Sequence, residues 1–177
     1  MVFLDFADFD SPVGTIRIAA RDGNLCALNF ADRWPAQMRW LERRFGQVTL
    51  RAADDAAGIT VMTDTLRRYF DGQLDALETL VVDPGGTPFQ AHVWRALRTI
   101  PAGRTVSYGE LARAVGSPQA ARAVGAANGR NPVSLVIPCH RAIGGNRQLV
   151  GYGGGLDRKR WLLTHEGALA PTLPDHD

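Results

Sequence analysis

Alternating apolar and polar positions run through the first thirty residues, in segments 2–9 and 13–30. A period of two is typical of strands with one buried face. Asp22-Gly23 divides the second segment into two parts, 15–20 and 25–30, and Asp-Gly is a favoured two-residue hairpin turn. The pattern therefore predicts antiparallel strands at the start of the chain, with Cys26 packed inside one of them.

Two stretches with helical spacing follow, at 35–45 and at about 59–70. Pro35 near the start and Gly46 after the end are typical helix boundaries. The spacing predicts these inner-face residues: Met38, Leu41 and Phe45 in the first helix, and Val61, Leu66, Tyr69 and Phe70 in the second. Together with the strands, they predict a small scaffold domain at 1–83.

A cluster of proline and glycine at 83–88 (DPGGTP) predicts the boundary with a second domain at 84–177. After it, residues 89–100 predict a helix that turns Val93, Trp94 and Leu97 toward a core. The predicted fold class is mixed α/β, with helices and strands segregated as in α+β proteins. It comprises an N-terminal domain with an antiparallel sheet and helices and a mostly helical C-terminal domain.

Segment 104–131 predicts a helix-turn-helix of the winged-helix type. Ser107 and Glu110 form a capping-box pattern ahead of a helix at 108–115, and a second helix is predicted at 119–128. The second helix offers mainly Arg122 among small residues, which suits sequence-independent binding in the minor groove better than base reading in the major groove. A plain packed pair of helices is the alternative.

Composition narrows the class of protein. The 177 residues are 45% hydrophobic and 21% charged, which is typical of soluble globular proteins. The apolar runs are too short to cross a bilayer and the N-terminus lacks signal-peptide features, so we expect a cytoplasmic protein without membrane contact. Two cysteines, Cys26 and Cys139, do not make a disulfide framework, and a reducing compartment fits them.

Charge is unevenly distributed along the chain. Residues 1–83 carry 9 Arg against 13 Asp and Glu, a net −4, whereas residues 84–177 carry 10 Arg and 1 Lys against 5 acidic residues, a net +6. A basic C-terminal half is compatible with a surface that binds phosphates, although many solvated surfaces are equally basic.

The main candidate chemistry follows a short apolar run at 133–137, predicted to be a buried strand or extended segment that ends at Pro138. Cys139 and His140 come next. Neighbouring side chains of an extended chain point apart, so we expect a bridging water between them, with Glu166 orienting the imidazole. This Cys139–water–His140–Glu166 relay would hold the sulfur ionised. The alternative is a buried cysteine that serves only packing.

Metal-binding patterns are missing from the sequence. His92, His140, His165 and His176 show no paired ligand spacing, and there is no CxxC. We predict neither a metal nor a cofactor.

Six segments, in order, make a family resemblance: SYGELA (107–112), AARAVG (120–125), NP (131–132), PCHR (138–141), GYGGGL (151–156) and WLLTHEG (161–167). Together they resemble the O6-alkylguanine–DNA alkyltransferases, the single-use DNA repair proteins. The first half resembles the family mainly in SPVGTI and in its general layout.

The resemblance implies direct reversal of damage in double-stranded DNA, and we expect the protein to be a monomer. The alkyl group of O6-alkylguanine, and of O4-alkylthymine, would pass irreversibly to Cys139 after minor-groove binding and base flipping. Implied catalytic groups are Cys139, His140, Glu166, Tyr108 and Asn131. Implied DNA-binding residues are Arg122, Tyr108, Ser117, Ala121 and Gly125, and Tyr152, Gly153 and Gly154 are expected to line the base pocket.

One position departs from many relatives, which have a serine or another residue where this chain has Gly153. Two other functions stay open. A damage sensor of the same shape would bind DNA without transfer, but such sensors lack the cysteine that Cys139 provides. A cysteine hydrolase using Cys139 and His140 would turn over repeatedly.

Overall fold

The first part of the chain folds into a four-stranded sheet with two helices. The computed structural model describes residues 1–53 and 57–171; His176 therefore lies outside the described residues. The strands are β1 (Val2–Ser11), β2 (Gly14–Arg21), β3 (Asn24–Phe30) and β4 (Val48–Ala52). Their order in the sheet is β3-β2-β1-β4.

The predicted hairpin is confirmed. β2 and β3 pair antiparallel across Asp22 and Gly23, whose φ angles of 51° and 78° suit this turn. β1 and β2 also pair antiparallel, but β4, which the sequence did not predict, lies parallel to β1. The sheet is therefore mixed, with one parallel edge.

Helices α1 (Trp34–Phe45) and α2 (Ala57–Phe70) match the predicted pair closely. The predicted inner face of α2 was wrong at Val61, which is 58% exposed. The buried positions are Ile59, Met62, Thr65, Leu66 and Tyr69. Val61 lies about 100° around the helix from Met62, on the solvent side.

The second part of the chain is mostly helical. It comprises α3 (Pro88–Arg98), β5 (Val106–Ser107), α4 (Tyr108–Ala114), α5 (Ala121–Gly129), β6 (Ala142–Ile143) and α6 (Leu156–His165). The predicted inner face of α3 is confirmed, since Val93, Trp94 and Leu97 are at most 1% exposed. The capping box before α4 is also confirmed: Ser107 accepts from the Glu110 amide at 3.1 Å, and Glu110 accepts from the Ser107 amide at 2.6 Å.

The α+β class with a sheet first and helices second is thus confirmed, while the winged-helix likeness stays a prediction. One large apolar core joins the two parts, because it includes Ile16 and Leu66 as well as Trp94 and Leu162. Among the described residues, none of the helices combines the length and apolar character needed to span a membrane.

The strand or extended segment predicted at 133–137 was wrong. This run is a series of turns, and Leu135 has a φ of 69°. The amide of Val136 donates to the carbonyl of Ser134, and the amide of Ile137 donates to that of Val133. Local bonds thus satisfy a buried backbone that pairs with β3 only at Val133 and Leu28. The apolar residues are buried as expected, because a turn can bury them as well as a strand.

Candidate active site

Two asparagines, one in the last turn of α5 and one just after this helix, hold the turns that carry Cys139. The side chain of Asn131 donates to the carbonyl of Ile137 at 2.7 Å and accepts from the amide of Val133 at 2.9 Å. The side chain of Asn128 donates to the carbonyl of Cys139 at 3.4 Å. Residues Cys139–Arg141 then form a single buried 3₁₀ turn. The cysteine is therefore mounted on the same helix pair that was predicted to bind DNA.

Cys139 faces a cavity and is not ionised at rest. Its exposure is only 5%, yet it lines a cavity of about 920 Å³. Burial raises the pKa of the Cys139 thiol, and the hydrogen bond from Asn131 and the charge of Lys159 offset part of that rise. The expectation of a resting thiolate was wrong, because burial disfavours the charged form. The sulfur needs a base at the moment of reaction.

His140 and Glu166 form a buried pair. His140 Nε2 lies 2.9 Å from Glu166 Oε1, and both side chains are fully buried. The second ring nitrogen, Nδ1, has no hydrogen-bond partner within the described part of the chain. An imidazole with one nitrogen bound to a carboxylate and the other free is arranged to accept a proton.

Two residues that the sequence analysis did not assign also bind Glu166. Arg141 donates from Nε to Oε2 and from Nη2 to Oε1, each at 2.9 Å, and the Tyr69 hydroxyl donates to Oε1 at 2.8 Å. Burial alone would raise the pKa of Glu166, but the charge of His140 and hydrogen bonds from His140 and Arg141 outweigh it and hold that pKa far below its usual range. Glu166 is therefore a carboxylate. Arg141 adjoins the Cys-His pair in the sequence, whereas nothing in the sequence pointed to Tyr69.

Lys159 is the other group that the sequence analysis missed. It is the one lysine in the sequence, it is fully buried, and its Nζ donates to the carbonyls of Ala142 at 2.6 Å and Val150 at 2.9 Å. Burial lowers the pKa of Lys159 to about 8, and the nearby Cys139 opposes that shift. A compact ammonium with three donors suits a site between two carbonyls better than a planar guanidinium does.

The cavity brings together several residues predicted for the base pocket and the DNA surface. Tyr108, Gly125, Asn131, Tyr152 and Gly153 line it together with Cys139. The hydroxyl of Tyr108 is 3.4 Å from the carbonyl of Gly151, a weak bond, and burial raises the pKa of Tyr108, so the phenol is protonated and can donate. Burial also raises the pKa of Tyr152 well above its usual value.

Gly154 is not part of the cavity lining. A Cβ at Gly154 would lie 2.5 Å from the ring of Phe30 and 2.7 Å from that of Tyr152, so its role is close packing. Next to it, Arg158 stacks over Phe30 at 4.2 Å, binds Asp32 at 2.9 Å and donates to the carbonyl of Gly154 at 3.2 Å. These contacts attach the glycine-rich loop at 151–155 to the N-terminal half of the chain.

The other residues predicted to bind DNA lie around α4 and α5 but outside the cavity lining. Arg122 is exposed, while Ser117 and Ala121 are partly buried. Among the described residues, no three His, Cys, Asp or Glu side chains are grouped as a metal site. The DNA-binding roles stay predictions.

Two family models match the chain. Residues 6–84 match the 6-O-methylguanine DNA methyltransferase, ribonuclease-like domain, and residues 88–168 match the DNA binding domain of the same family. A methylated-DNA–protein-cysteine methyltransferase from Mycolicibacterium paratuberculosis is 44% identical over 170 residues, 95% of each chain. One of the same name from Shigella flexneri is 58% identical over 108 residues, and that match spans 61% of this chain and 63% of the relative, slightly under two thirds of its length.

Solved structures agree with this likeness. The chain is similar to the O6-methylguanine methyltransferase of Mycobacterium tuberculosis, with a TM-score of 0.76, 40% identity, and coverage of 97% of this chain and 96% of that one. It is also similar to Mycobacterium tuberculosis OGT in complex with DNA, with a TM-score of 0.75, 39% identity, and coverage of 94% and 93%.

Proposed function

The chain belongs to the 6-O-methylguanine DNA methyltransferase family, and from that premise we propose that it repairs DNA by moving the alkyl group of O6-alkylguanine, or of O4-alkylthymine, to Cys139. The observation that carries the proposal is the position of Cys139 in the cavity beside Tyr108 and Tyr152, next to the buried His140–Glu166 pair. A cysteine that served only packing would need neither a cavity nor a base.

Binding begins with the helix pair. A purine inside a duplex keeps its O6 substituent out of reach, so the damaged nucleotide must rotate out of the stack, which costs a few kcal/mol. Arg122 is exposed on a helix of small residues, which supports a role in filling the gap left in the duplex. Ser117, Ala121 and Gly125 allow close approach to the minor groove. The Mycobacterium tuberculosis OGT complex with DNA supports DNA as the partner.

Activation of the sulfur uses the buried pair. The thiol proton of Cys139 passes through a bridging water to the free Nδ1 of His140, and Glu166 stabilises the resulting imidazolium. Burial raises the pKa of the Cys139 thiol. The thiolate is therefore generated only when proton transfer to His140 is coupled to attack on the alkyl carbon.

Transfer then breaks one bond and forms another. The electron pair of Cys139 Sγ attacks the alkyl carbon, and the bond from that carbon to the base oxygen breaks with its electrons on the base. The Tyr108 phenol donates a hydrogen bond to the leaving base and keeps its proton. The proton that His140 took from the thiol returns to the departing base through solvent, so that one proton leaves the sulfur and one neutralises the base. Asn131 keeps the cysteine turn in place through its bonds to Ile137 and Val133. Tyr152, Gly153 and the adjacent loop line the pocket for the flipped base.

The product explains single use. Sulfur bound to an alkyl carbon is a thioether without an activated carbonyl, so water does not regenerate Cys139 and each chain reacts once. The two free cysteines support a reducing compartment, so we place the protein in the cytoplasm, and we propose that it acts as a monomer without metal or cofactor. The division into domains at 83/84 belongs to the same proposal.

Titration of the protein with duplex DNA carrying O6-methylguanine tests this function. Transfer should stop after one methyl group per protein chain, whatever the excess of DNA. Multiple turnovers would favour a hydrolase, and DNA binding without transfer would favour a damage sensor.

A further inference from the structure

Tyr69, on α2, connects the N-terminal half of the chain to the proton-accepting pair. Its hydroxyl donates to Glu166 Oε1 at 2.8 Å, across 97 positions of sequence. The same oxygen lies 2.9 Å from His140 Nε2. Tyr69 and His140 therefore share one carboxylate oxygen, in a place where both side chains are fully buried.

The position of Tyr69 is fixed at its backbone and ring as well. The carbonyl of Tyr69 accepts from Nε2 of His165 at 2.9 Å, and the two rings meet edge to face at 5.2 Å. His165 precedes Glu166 at the end of α6. The last residue of α6 and the residue that follows it are thus held by a single residue of α2, so that a shift of this helix end would break both bonds.

We propose that Tyr69 is a positioning residue for the reaction: its hydroxyl fixes Glu166 and takes part of the negative charge that Oε1 presents to His140. This inference rests on the proposed function, since it assigns Tyr69 to the same relay. The N-terminal half would then be part of the working site and more than a scaffold.

The sharing of Oε1 has a direct electrostatic consequence. A donor on a carboxylate oxygen reduces the charge available to a second partner on that oxygen. Without the phenol, Glu166 would stabilise a protonated His140 more strongly, and a protonated His140 cannot accept the proton of Cys139. Burial and the charge of Glu166 raise the pKa of Tyr69, so the phenol keeps its proton and acts only as a donor.

A substitution at Tyr69 should leave the other groups around the pair in place. Arg141 binds Glu166 from the cysteine turn, and the ring of Tyr152 meets that of His140 edge to face at 6.5 Å. In the described part of the chain, the titratable groups that contact the pair are Tyr69, Arg141 and Tyr152; His165 contacts the backbone of Tyr69, and Cys139 precedes His140 in the chain. Of these residues, only Tyr69 can be replaced by a side chain of the same shape, that of phenylalanine, which lacks the hydrogen bond to Glu166.

The test compares the wild-type protein with Tyr69→Phe, using free O6-benzylguanine, which needs no base flipping. The rate of Cys139 alkylation should fall several-fold at neutral pH, and the acid limb of the pH–rate profile should move to higher pH. Phe9→Leu is the matched control. Phe9 stacks on Phe70 at the far side of the same aromatic cluster, with the ring centroids 6.0 Å apart. Its loss should lower the free energy of unfolding and leave the pH–rate profile unchanged.

A folded Tyr69→Phe with the wild-type rate and profile would overturn the positioning role while leaving the proposed function intact. A wild-type protein that forms no adduct would overturn the proposed function itself. If Tyr69→Phe does not fold, proton NMR of the wild-type protein decides the question. A slowly exchanging phenolic proton of Tyr69 close to the His140 ring is expected, and its absence contradicts the proposal.

Discussion

His140 Nε2 lies 2.9 Å from Oε1 of Glu166, which is 26 residues further along the chain, and both side chains are fully buried. The bond joins the turn after Pro138 to the residue that directly follows α6. It leaves Nδ1 of the same ring without a partner in the described residues. The imidazole is therefore anchored at one nitrogen and unpaired at the other, as a base for a neighbouring thiol needs to be.

Glu166→Gln should slow alkyl transfer on the order of 100-fold, because a neutral amide does not stabilise a protonated His140. It should also lower the free energy of unfolding by about 3 kcal/mol, since Arg141 loses its buried partner. Rates with free O6-benzylguanine and urea unfolding measure the two effects. Glu78→Gln, on an exposed side chain, is the control and should change neither. A wild-type rate in Glu166→Gln would remove Glu166 from the mechanism.

Lys159 should make the free energy of unfolding depend on pH in the alkaline range. Its pKa is about 8 in the folded protein against an ordinary 10.5, so between these values the unfolded chain binds more protons. The contribution of Lys159 to the free energy of unfolding therefore rises with pH, by up to about 1.4 kcal/mol per pH unit. Raised pKa values such as that of Cys139 act in the opposite direction, so the comparison must be between variants.

The variant for this comparison is Lys159→Met, which should lose that rising contribution between pH 8 and 10.5. Arg160→Met, on the exposed neighbour, should keep the wild-type dependence, because arginine stays charged over this range. Urea unfolding at several pH values gives the slopes. Equal slopes in wild-type protein and Lys159→Met would show that Lys159 titrates normally.

Substitution by alanine should affect the stability of the protein differently at two neighbouring glycines. Gly154→Ala places a Cβ 2.5 Å from the ring of Phe30, and the strain should lower the free energy of unfolding by about 1–3 kcal/mol. Gly153→Ala meets nothing within 4 Å and should change it by less than about 0.5 kcal/mol. Thermal unfolding of the two variants measures both effects. A Gly154→Ala variant as stable as the wild-type protein would mean that the ring of Phe30 can shift to make room for the Cβ.

Arg122→Ala should slow repair of O6-methylguanine in duplex DNA more than reaction with free O6-benzylguanine, because only the duplex requires a flipped base. Rates with both substrates measure the ratio. Arg95→Ala removes the same charge from α3, outside the helix pair, and should not change the ratio. Equal losses on both substrates in Arg122→Ala would contradict a role in flipping.

Local signals were read correctly from the sequence. The Asp22-Gly23 hairpin and the capping box of Ser107 and Glu110 depend on residues at most three positions apart, and both are present. β4 was missed because it is a short edge strand whose partner β1 is more than forty positions away. Apolar content alone could not separate a buried strand from the buried turns at 133–137, where the amide bonds close locally.

Some residues of the candidate site were also predicted from the sequence, and others were not. Cys139, His140 and Glu166 were predicted, and the structure brings the last two into contact. Tyr69 was predicted to face a core, but no sequence pattern indicates that its hydroxyl meets a carboxylate 97 positions away. The protonation of Cys139 was misjudged, because its pKa depends on how deeply the folded chain buries the sulfur.

The residue that receives the alkyl group can be identified by mapping the adduct. The protein is incubated with duplex DNA that carries O6-methylguanine, digested, and analysed by peptide mass spectrometry, with Cys139→Ser in parallel. We expect one methyl group on the peptide that contains Cys139, none on the peptide that contains Cys26, and none on Cys139→Ser, which should still bind the DNA. A methyl group on Cys26, transfer by Cys139→Ser, or folded wild-type protein that acquires no methyl group would contradict this expectation.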